Sequence, residues 1–408
     1  MSPTESSKTP TLQNANGPDD RSPERNVVAL GWVAFFGGMA QDMIQPILPL
    51  FYTSVLGLNK EFIGLIEGLL MTVVSLMKMG AGYVSDLLGM RKAVVFAGYA
   101  LSAVARFLLA YAGSGPQALA LRATDGVGKG LKEAPRDALV ASSAGSRKLG
   151  FAFGIQRTLD TLGSVAGPLI TYWLLERWGS HPASFRHIFF IAGIIAASPL
   201  LIIGLFVRER RAQVSKQRIS LAVVRGPFAG FLIVMLRFTL GNSSDACLIL
   251  RAQNVGAAAV MIPVVYALFN LVSAMAAIPC GKLSDRIGRR RVIAMGWGVY
   301  ALAYLGFALA HSAWMIWALY AFYGLFYALS EGAGKALVAE LVPDENRGVS
   351  YGVYNAAVGV MALPASIIAG APWTRVSPAA PFAFGAVLAG VALVGLALVP
   401  ALPKAPTP

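Results

Sequence analysis

Between residues 122 and 137 the chain reads Arg-Ala-Thr-Asp-Gly-Val-Gly-Lys-Gly-Leu-Lys-Glu-Ala-Pro-Arg-Asp, seven ionisable side chains inside an otherwise apolar sequence. On a helix turning by about 100° per residue, Arg122, Asp125, Lys129, Glu133 and Arg136 fall within a wedge of roughly 80°. Lys132 and Asp137 flank that wedge. The signs alternate at spacings of three and four, so every charge meets one of opposite sign. Two chemistries fit such a stripe. One is a charge relay lining a wet cavity, in which a carboxyl group trades a proton; the other is a self-neutralising network that only packs. In a membrane either must face protein or water, never lipid, and the expense of burying charge favours the relay. Asp125, Lys129 and Glu133 lie deepest. The opposite face carries Gly126, Gly128, Gly130, Leu131 and Ala134, small or apolar groups that suit close helix packing.

Further polar sets recur at helical spacing. Arg157 and Asp160 stand at i, i+3 as an internal pair, either structural or proton-carrying. Tyr320, Tyr323, Tyr327, Glu331 and Lys335 share one face, where tyrosines either stack on a solute or form a packing seam. Asp42 with Gln41 and Gln45, and Asp245 with Asn242 and Ser244, make related polar spots far apart in the chain. Glu67 and Arg106 read as helix-end residues that snorkel, and Arg251 as a residue of an outward loop.

The elements that position these groups follow from composition. The 408 residues are 56% hydrophobic and only 13% charged, with a mean hydropathy of +0.62. A soluble domain carries about a quarter charged residues. Apolar runs near 27–56, 61–84, 93–112, 116–141, 150–176, 185–207, 226–250, 258–280, 292–310, 313–340, 349–370 and 379–400 predict an all-α membrane protein with twelve transmembrane helices. Residues 1–26 read as a polar, disordered tail without a cleavable leader, and 401–408 as a second tail.

Net charge is +14, yet the basic residues do not form one surface, which makes nucleic-acid binding the poorer explanation, and no nucleic-acid partner is expected. They crowd into alternate loops, including Arg91, Lys92, Arg147, Lys148, Arg208, Arg286, Arg289, Arg290, Arg291 and Arg347. Loops on the other side hold only Lys60, Arg177, Arg186, Arg251 and Arg375. The positive-inside rule makes the first set, and both termini, cytoplasmic, with the protein in the cytoplasmic membrane. Cys247 and Cys280 lie in apolar stretches, and His181, His187 and His311 are scattered, so no disulfide, metal or cofactor is expected.

Gly57, Ile63, Gly82, Ser85, Asp86, Gly89 and Arg91 recur 199 residues later as Gly256, Ile262, Gly281, Ser284, Asp285, Gly288 and Arg290. Two pseudo-symmetric six-helix bundles are therefore expected, 27–207 and 226–400, joined by the basic linker 208–225. Duplicated halves around a midplane site are a mark of secondary transporters.

The repeated loop, Gly-Tyr-Val-Ser-Asp-Leu-Leu-Gly-Met-Arg-Lys at 82–92 and Gly-Lys-Leu-Ser-Asp-Arg-Ile-Gly-Arg-Arg-Arg at 281–291, resembles the signature loop of the major facilitator superfamily. The first copy departs from the pattern at Leu87 and Met90. Asp42-Met-Ile-Gln-Pro46-Ile-Leu-Pro49 is similar to the first-helix signature of drug-exporter-like members. Arg122-x-x-x-Gly126-x-Gly128 is similar to the fourth-helix motif, and Gly163-x-x-x-Gly167-Pro168 to the fifth-helix motif associated with antiporters.

The resemblance implies a cytoplasmic latch built from Gly82, Asp86, Gly89, Arg91, Arg136, Asp137, Arg147, Gly281, Asp285, Gly288, Arg289, Arg290 and Arg347. Gly82 and Gly281 would allow close helix approach, with Asp86 near Arg347 and Asp285 near Arg147 or Lys148. Asp42, Gln45, Arg122, Asp125, Lys129, Glu133, Arg157, Asp160, Asp245, Tyr323, Tyr327, Glu331 and Lys335 are the expected cavity residues. The function read from these features is proton-coupled efflux of a small organic solute by a monomer using alternating access. Proton-coupled uptake of an anionic or zwitterionic metabolite is the alternative. A non-transporting sensor on the same scaffold would require a soluble domain or long tail, and no loop has room for one. No nucleophile–base pair supports an enzyme, and no Gly-x-x-x-x-Gly-Lys-Ser/Thr motif supports ATP-driven transport.

Overall fold

The computed structural model describes residues 22–144, 149–209, 223–343 and 347–398. The expected tails and linker fall largely on the remaining stretches and lie outside the described residues. The described chain forms fourteen helices: α1 (Ser22–Ile44), α2 (Leu48–Ser54), α3 (Lys60–Leu88), α4 (Arg91–Leu109), α5 (Gly115–Ala144), α6 (Leu149–Trp178), α7 (Pro182–Phe206), α8 (Gly226–Gly241), α9 (Asp245–Asn254), α10 (Ile262–Ile287), α11 (Arg289–Leu309), α12 (Ala313–Leu341), α13 (Arg347–Arg375) and α14 (Ala380–Leu398). They make twelve passes, because α1 with α2, and α8 with α9, are single passes interrupted midway.

Ten of these passes, among the described residues, are by themselves long and apolar enough to cross a membrane. The two others are α5 and α6, whose hydropathy is lowered by charges such as Arg122, Asp125, Lys129, Glu133, Arg157 and Asp160. Neighbours must therefore accommodate them.

The interruptions have different causes. In the first pass Pro46 lacks an amide donor, and Pro49 occupies the opening turn of α2. In the seventh pass the backbone extends through Asn242 and Ser244 without a proline. The freed groups are satisfied by α11: Tyr300 donates to Gly241 O at 3.0 Å, and Ser243 and Tyr304 share a hydroxyl hydrogen bond of 2.8 Å. Broken helices survive at membrane depth only where neighbours supply such partners.

Helix α1 starts at Ser22, inside the stretch read as a disordered tail. Asn26 explains the difference. It is buried, donates to Ser143 Oγ at 3.1 Å, and accepts the Arg208 amide at 2.9 Å, tying the chain start to the ends of α5 and α7.

Of the repeated glycines, Gly57 and Gly256 have φ of 65° and 91°, and Gly89 and Gly288 have 62° and 95°. The repeat thus preserves two turns that need the left-handed region. Gly281, expected to permit close helix approach, has open space where a Cβ would stand. The close approaches lie elsewhere: a Cβ on Gly163 or Gly167 of α6 would collide with Phe35 O or Met39 O of α1.

Each half has an apolar core, and a further cluster spans both halves at one end. There Met43, Ile47, Phe51 and Phe189 bury with Ala246, Ile249, Leu250 and Ile262. This sealed end is opposite the repeated basic loops. Helix α3 packs along α13, and α6 against α10, between the halves. Thr72 Oγ1 donates to Gly359 O at 2.8 Å across the first of these contacts.

Candidate functional site

Inside the first half, the charges of α5 find partners that spacing did not reveal. Arg122 reaches Glu67 of α3 at 3.4 Å and Asp125 at 3.2 Å, and Arg106 of α4 reaches Asp125 at 3.2 Å. All four side chains are 5% exposed or less. Gln45, at the break of the first pass, accepts from Arg122 at 3.4 Å. Glu67 and Arg106 therefore do not snorkel; they complete a buried quartet. An ionised group moved into a dry interior loses several kcal/mol of hydration unless it is paired and hydrogen-bonded, which is why the four converge. Lys132 is also buried, with its ammonium 4.2 Å from the centre of the Tyr99 ring.

Lower on α5, Glu133 pairs with Lys78 of α3 at 2.7 Å. Arg136 pairs with Asp137 at 3.3 Å, and Gln156 of α6 donates to Asp137 at 3.1 Å. These contacts lie within the first half. The expected close packing of α5 holds: Gly126 and Gly130 face α3, and Gly128 crosses Gly98 of α4.

The gap between the halves is a cleft with two adjoining chambers of about 190 and 270 Å³. The inner chamber is walled by Asp160 and Ser164 of α6, Asp245 of α9, Tyr266, Phe269 and Asn270 of α10, and Tyr327 of α12. The second adds Cys280, Gly281 and Lys335, toward the end bearing the basic loops, and Arg157, Ser273, Tyr327 and Glu331 border both. Of the expected cavity residues, Asp42, Gln45, Arg122, Asp125, Lys129, Glu133 and Tyr323 are not among those lining these chambers.

Asp42, 6% exposed, is met from the other half by Asn270 Nδ2 at 3.5 Å, and the same amide donates to Ser164 O at 2.8 Å. Arg157 lies 3.9 Å from Asp160 and 4.0 Å from Glu331, joining the halves across the cleft. Lys335 holds Glu331 at 3.0 Å. Lys129 has no ion-pair or hydrogen-bond partner among the described residues. It lies within electrostatic range of Asp42, Asp160 and Asp245.

The tyrosine face of α12 divides. Tyr327, with Glu331 and Lys335, borders the cleft. Tyr320 packs edge-on against Phe307, and Tyr323 stacks on Phe269 and Phe326 inside the second half. The seam and the solute-facing surface are both present, on successive turns. Arg251, expected in an outward loop, is buried; it donates to Phe307 O, Ala308 O and Ala310 O at 2.9, 3.1 and 2.8 Å, satisfying the last carbonyls of α11.

At the basic end, Asp285 pairs with Arg289, which also reaches Glu340 of α12 at 3.2 Å, and Arg290 donates to Leu396 O of α14. These contacts stay within the second half. The surroundings of Gly82, Asp86 and Arg347, and all of Arg147, lie outside the described residues, and so do the expected pairings through them. At the sealed end, Glu61 of α3 and Arg375 of α13 lie 3.8 Å apart across the halves.

The sequence profile of the Major Facilitator Superfamily matches residues 30–244 and again 227–408. An uncharacterised MFS-type transporter of Methanocaldococcus jannaschii is 36% identical over 383 residues, covering 92% of this chain and 94% of that protein. The multidrug resistance protein MdtG of Proteus mirabilis is 27% identical over 319 residues, covering 74% and 77%. Among solved structures, a mutant of the nucleoside transporter NupG superposes with a TM-score of 0.76 at 13% identity, over 91% of this chain and 99% of that one, a likeness of fold.

Proposed function

The chain belongs to the Major Facilitator Superfamily and is a membrane transporter, and we propose that it exports a small organic solute in exchange for protons. The observation that carries this reading is Asp42. It is buried beside the break of the first pass, has no ion-pair partner among the described residues, and is touched by Asn270 of the opposite half. A carboxyl group in that position exchanges a proton as its surroundings alternate between dry and wet, and the exchange alters a contact between the halves. Proton occupancy and the opening of the gap then become one equilibrium.

The sealed apolar end and the cleft reaching toward the basic loops correspond to one of two alternating states. By the positive-inside rule the cleft faces the cytoplasm and both termini are cytoplasmic. Efflux is supported by the first- and fifth-helix motifs and by the multidrug resistance relative. Arg157, Asp160 and Glu331 then form a charge-paired strap over the cleft that must part as a solute enters.

The test is proteoliposomes holding a pH-sensitive dye, with an imposed pH gradient and a panel of amphiphilic cations, zwitterions and carboxylates. At least one solute should dissipate the gradient, and Asp42→Asn should abolish that flux while sparing solute exchange at equal pH. Solute flux that ignores the gradient would exclude proton coupling. Full coupling in Asp42→Asn would move the proton to another carboxylate.

A further inference from the structure

Most charges in or near the cleft are already committed to one another. Arg157 serves Asp160 and Glu331, Lys335 serves Glu331, and Lys78 serves Glu133. Asp42 has Asn270. Apart from Asp42, which the transport reading gives the proton, two groups are left without an ion-pair partner among the described residues, Asp245 in the second half and Lys129 in the first. Lys129 is not in the lining of either chamber, but it lies within electrostatic range of the lining residues Asp160 and Asp245.

Their surroundings differ. Asp245 lines the inner chamber together with Tyr266, Phe269 and Tyr327. The hydroxyls of Tyr323 and Tyr327 flank its carboxyl group, and the buried Tyr323 hydroxyl has no hydrogen-bond partner. A carboxylate among aromatic faces complements an organic ammonium group through charge and cation–π attraction. Lys129 presents three donors and no acceptor, so its complement is an anion.

We propose that the solute is a small zwitterion, its ammonium group held by Asp245 among Tyr266, Phe269 and Tyr327, and its anionic group held by Lys129. The proposal rests on the transport reading above and names its substrate class. A plain cation would leave Lys129 unpaired when the gap dries, and a plain anion would leave Asp245 unpaired; either is costly. A zwitterion satisfies both and bridges the two halves, so its binding favours their approach. The two chambers together are of the scale of small-molecule sites, about 300–1,000 Å³.

Purified protein in detergent, titrated with L-phenylalanine, phenethylamine and phenylpropionate at neutral pH, separates the possibilities, because the three differ only in their charged groups. L-Phenylalanine should raise Tm more than either analogue. Asp245→Asn should abolish the response to L-phenylalanine and phenethylamine, and Lys129→Gln should reduce the L-phenylalanine response to that of phenethylamine. Each change should weaken apparent affinity by on the order of tenfold or more. Asp245→Glu and Lys129→Arg should recover part of the response, which a misfolded variant would not.

An equal response to phenylpropionate, an undiminished response in Asp245→Asn, or no response to any of the three overturns the zwitterion site. If other solutes still drive proton flux in proteoliposomes, the transport reading survives that failure. Intact L-phenylalanine binding without any solute-driven proton flux would overturn proton coupling alone.

Discussion

Helices α5 and α12 are each the fourth pass of their half, and they solve the same problem with opposite chemistry. Helix α5 buries Arg122 and Asp125 in its own half, against Glu67 and Arg106. Helix α12 buries Tyr320 and Tyr323 and leaves Glu331 and Lys335 about half exposed at the cleft. The neighbours explain the division. Helices α3 and α4 offer counter-charges to Arg122, Asp125 and Glu133 of α5, whereas α10 and α11 offer Phe269, Tyr300 and Phe307. A duplicated scaffold therefore keeps its turns and its interrupted passes while the two interiors diverge. The first half is rigidified by ion pairs, and the second presents an aromatic wall.

The largest effect expected from this contrast is in the first half. Arg106→Met leaves Asp125 short of a partner in a dry interior and should cost about 3–5 kcal/mol, read as a lower unfolding midpoint in detergent. Removing Asp125 as well, as Arg106→Met/Asp125→Leu, leaves Arg122 with Glu67 and should recover most of that loss. A double variant no more stable than the single one would show that the quartet does not act by charge pairing.

The second half should respond more mildly. Tyr300→Phe removes the donor to Gly241 O at the break of the seventh pass, and an unsatisfied buried carbonyl costs about 1–3 kcal/mol. Stability unchanged within error would mean that the interruption needs no support from α11. The smallest effect belongs to the cleft. Lys335→Gln breaks a half-exposed pair worth about 0–1 kcal/mol and should hardly move the unfolding midpoint. The same variant frees Glu331 to hold Arg157 alone, so the pH-gradient flux should change although stability does not. A marked loss of stability would make the pair structural instead.

Much of the candidate cleft is legible in the sequence. Asp42 and Asp245 stood out as polar spots at matching places, and each lies at or beside an interrupted pass. Arg157 with Asp160, and Glu331 with Lys335, were visible as helical pairs and are pairs in the structure. Glu67 and Arg106 were misjudged because each is a single charge in an apolar run, and only a partner on another helix distinguishes a buried charge from a snorkelling one. The break at Asn242 was missed because no proline marks it; the neighbouring Asn-Ser-Ser run was its only local signal. Glu61 and Arg375, paired at the sealed end, stand 314 residues apart in the sequence and leave no pattern there.

Hydropathy alone marks ten of the twelve passes among the described residues, because spanning a membrane imposes a length and a composition on each segment independently of its neighbours. The 199-residue repeat likewise determined that there are two like halves, and its glycines mark turns whose backbone admits little else. Tertiary structure decided which charges are spent inside a half and which are left facing the gap. Periodicity fixes the direction in which a side chain leaves its own helix, but the group it meets sits on another helix, as Arg122 meets Glu67 from 55 residues away. Only the packing of α3, α4 and α5 brings those groups within reach, and the same packing leaves Lys129 without an ion-pair partner among the described residues.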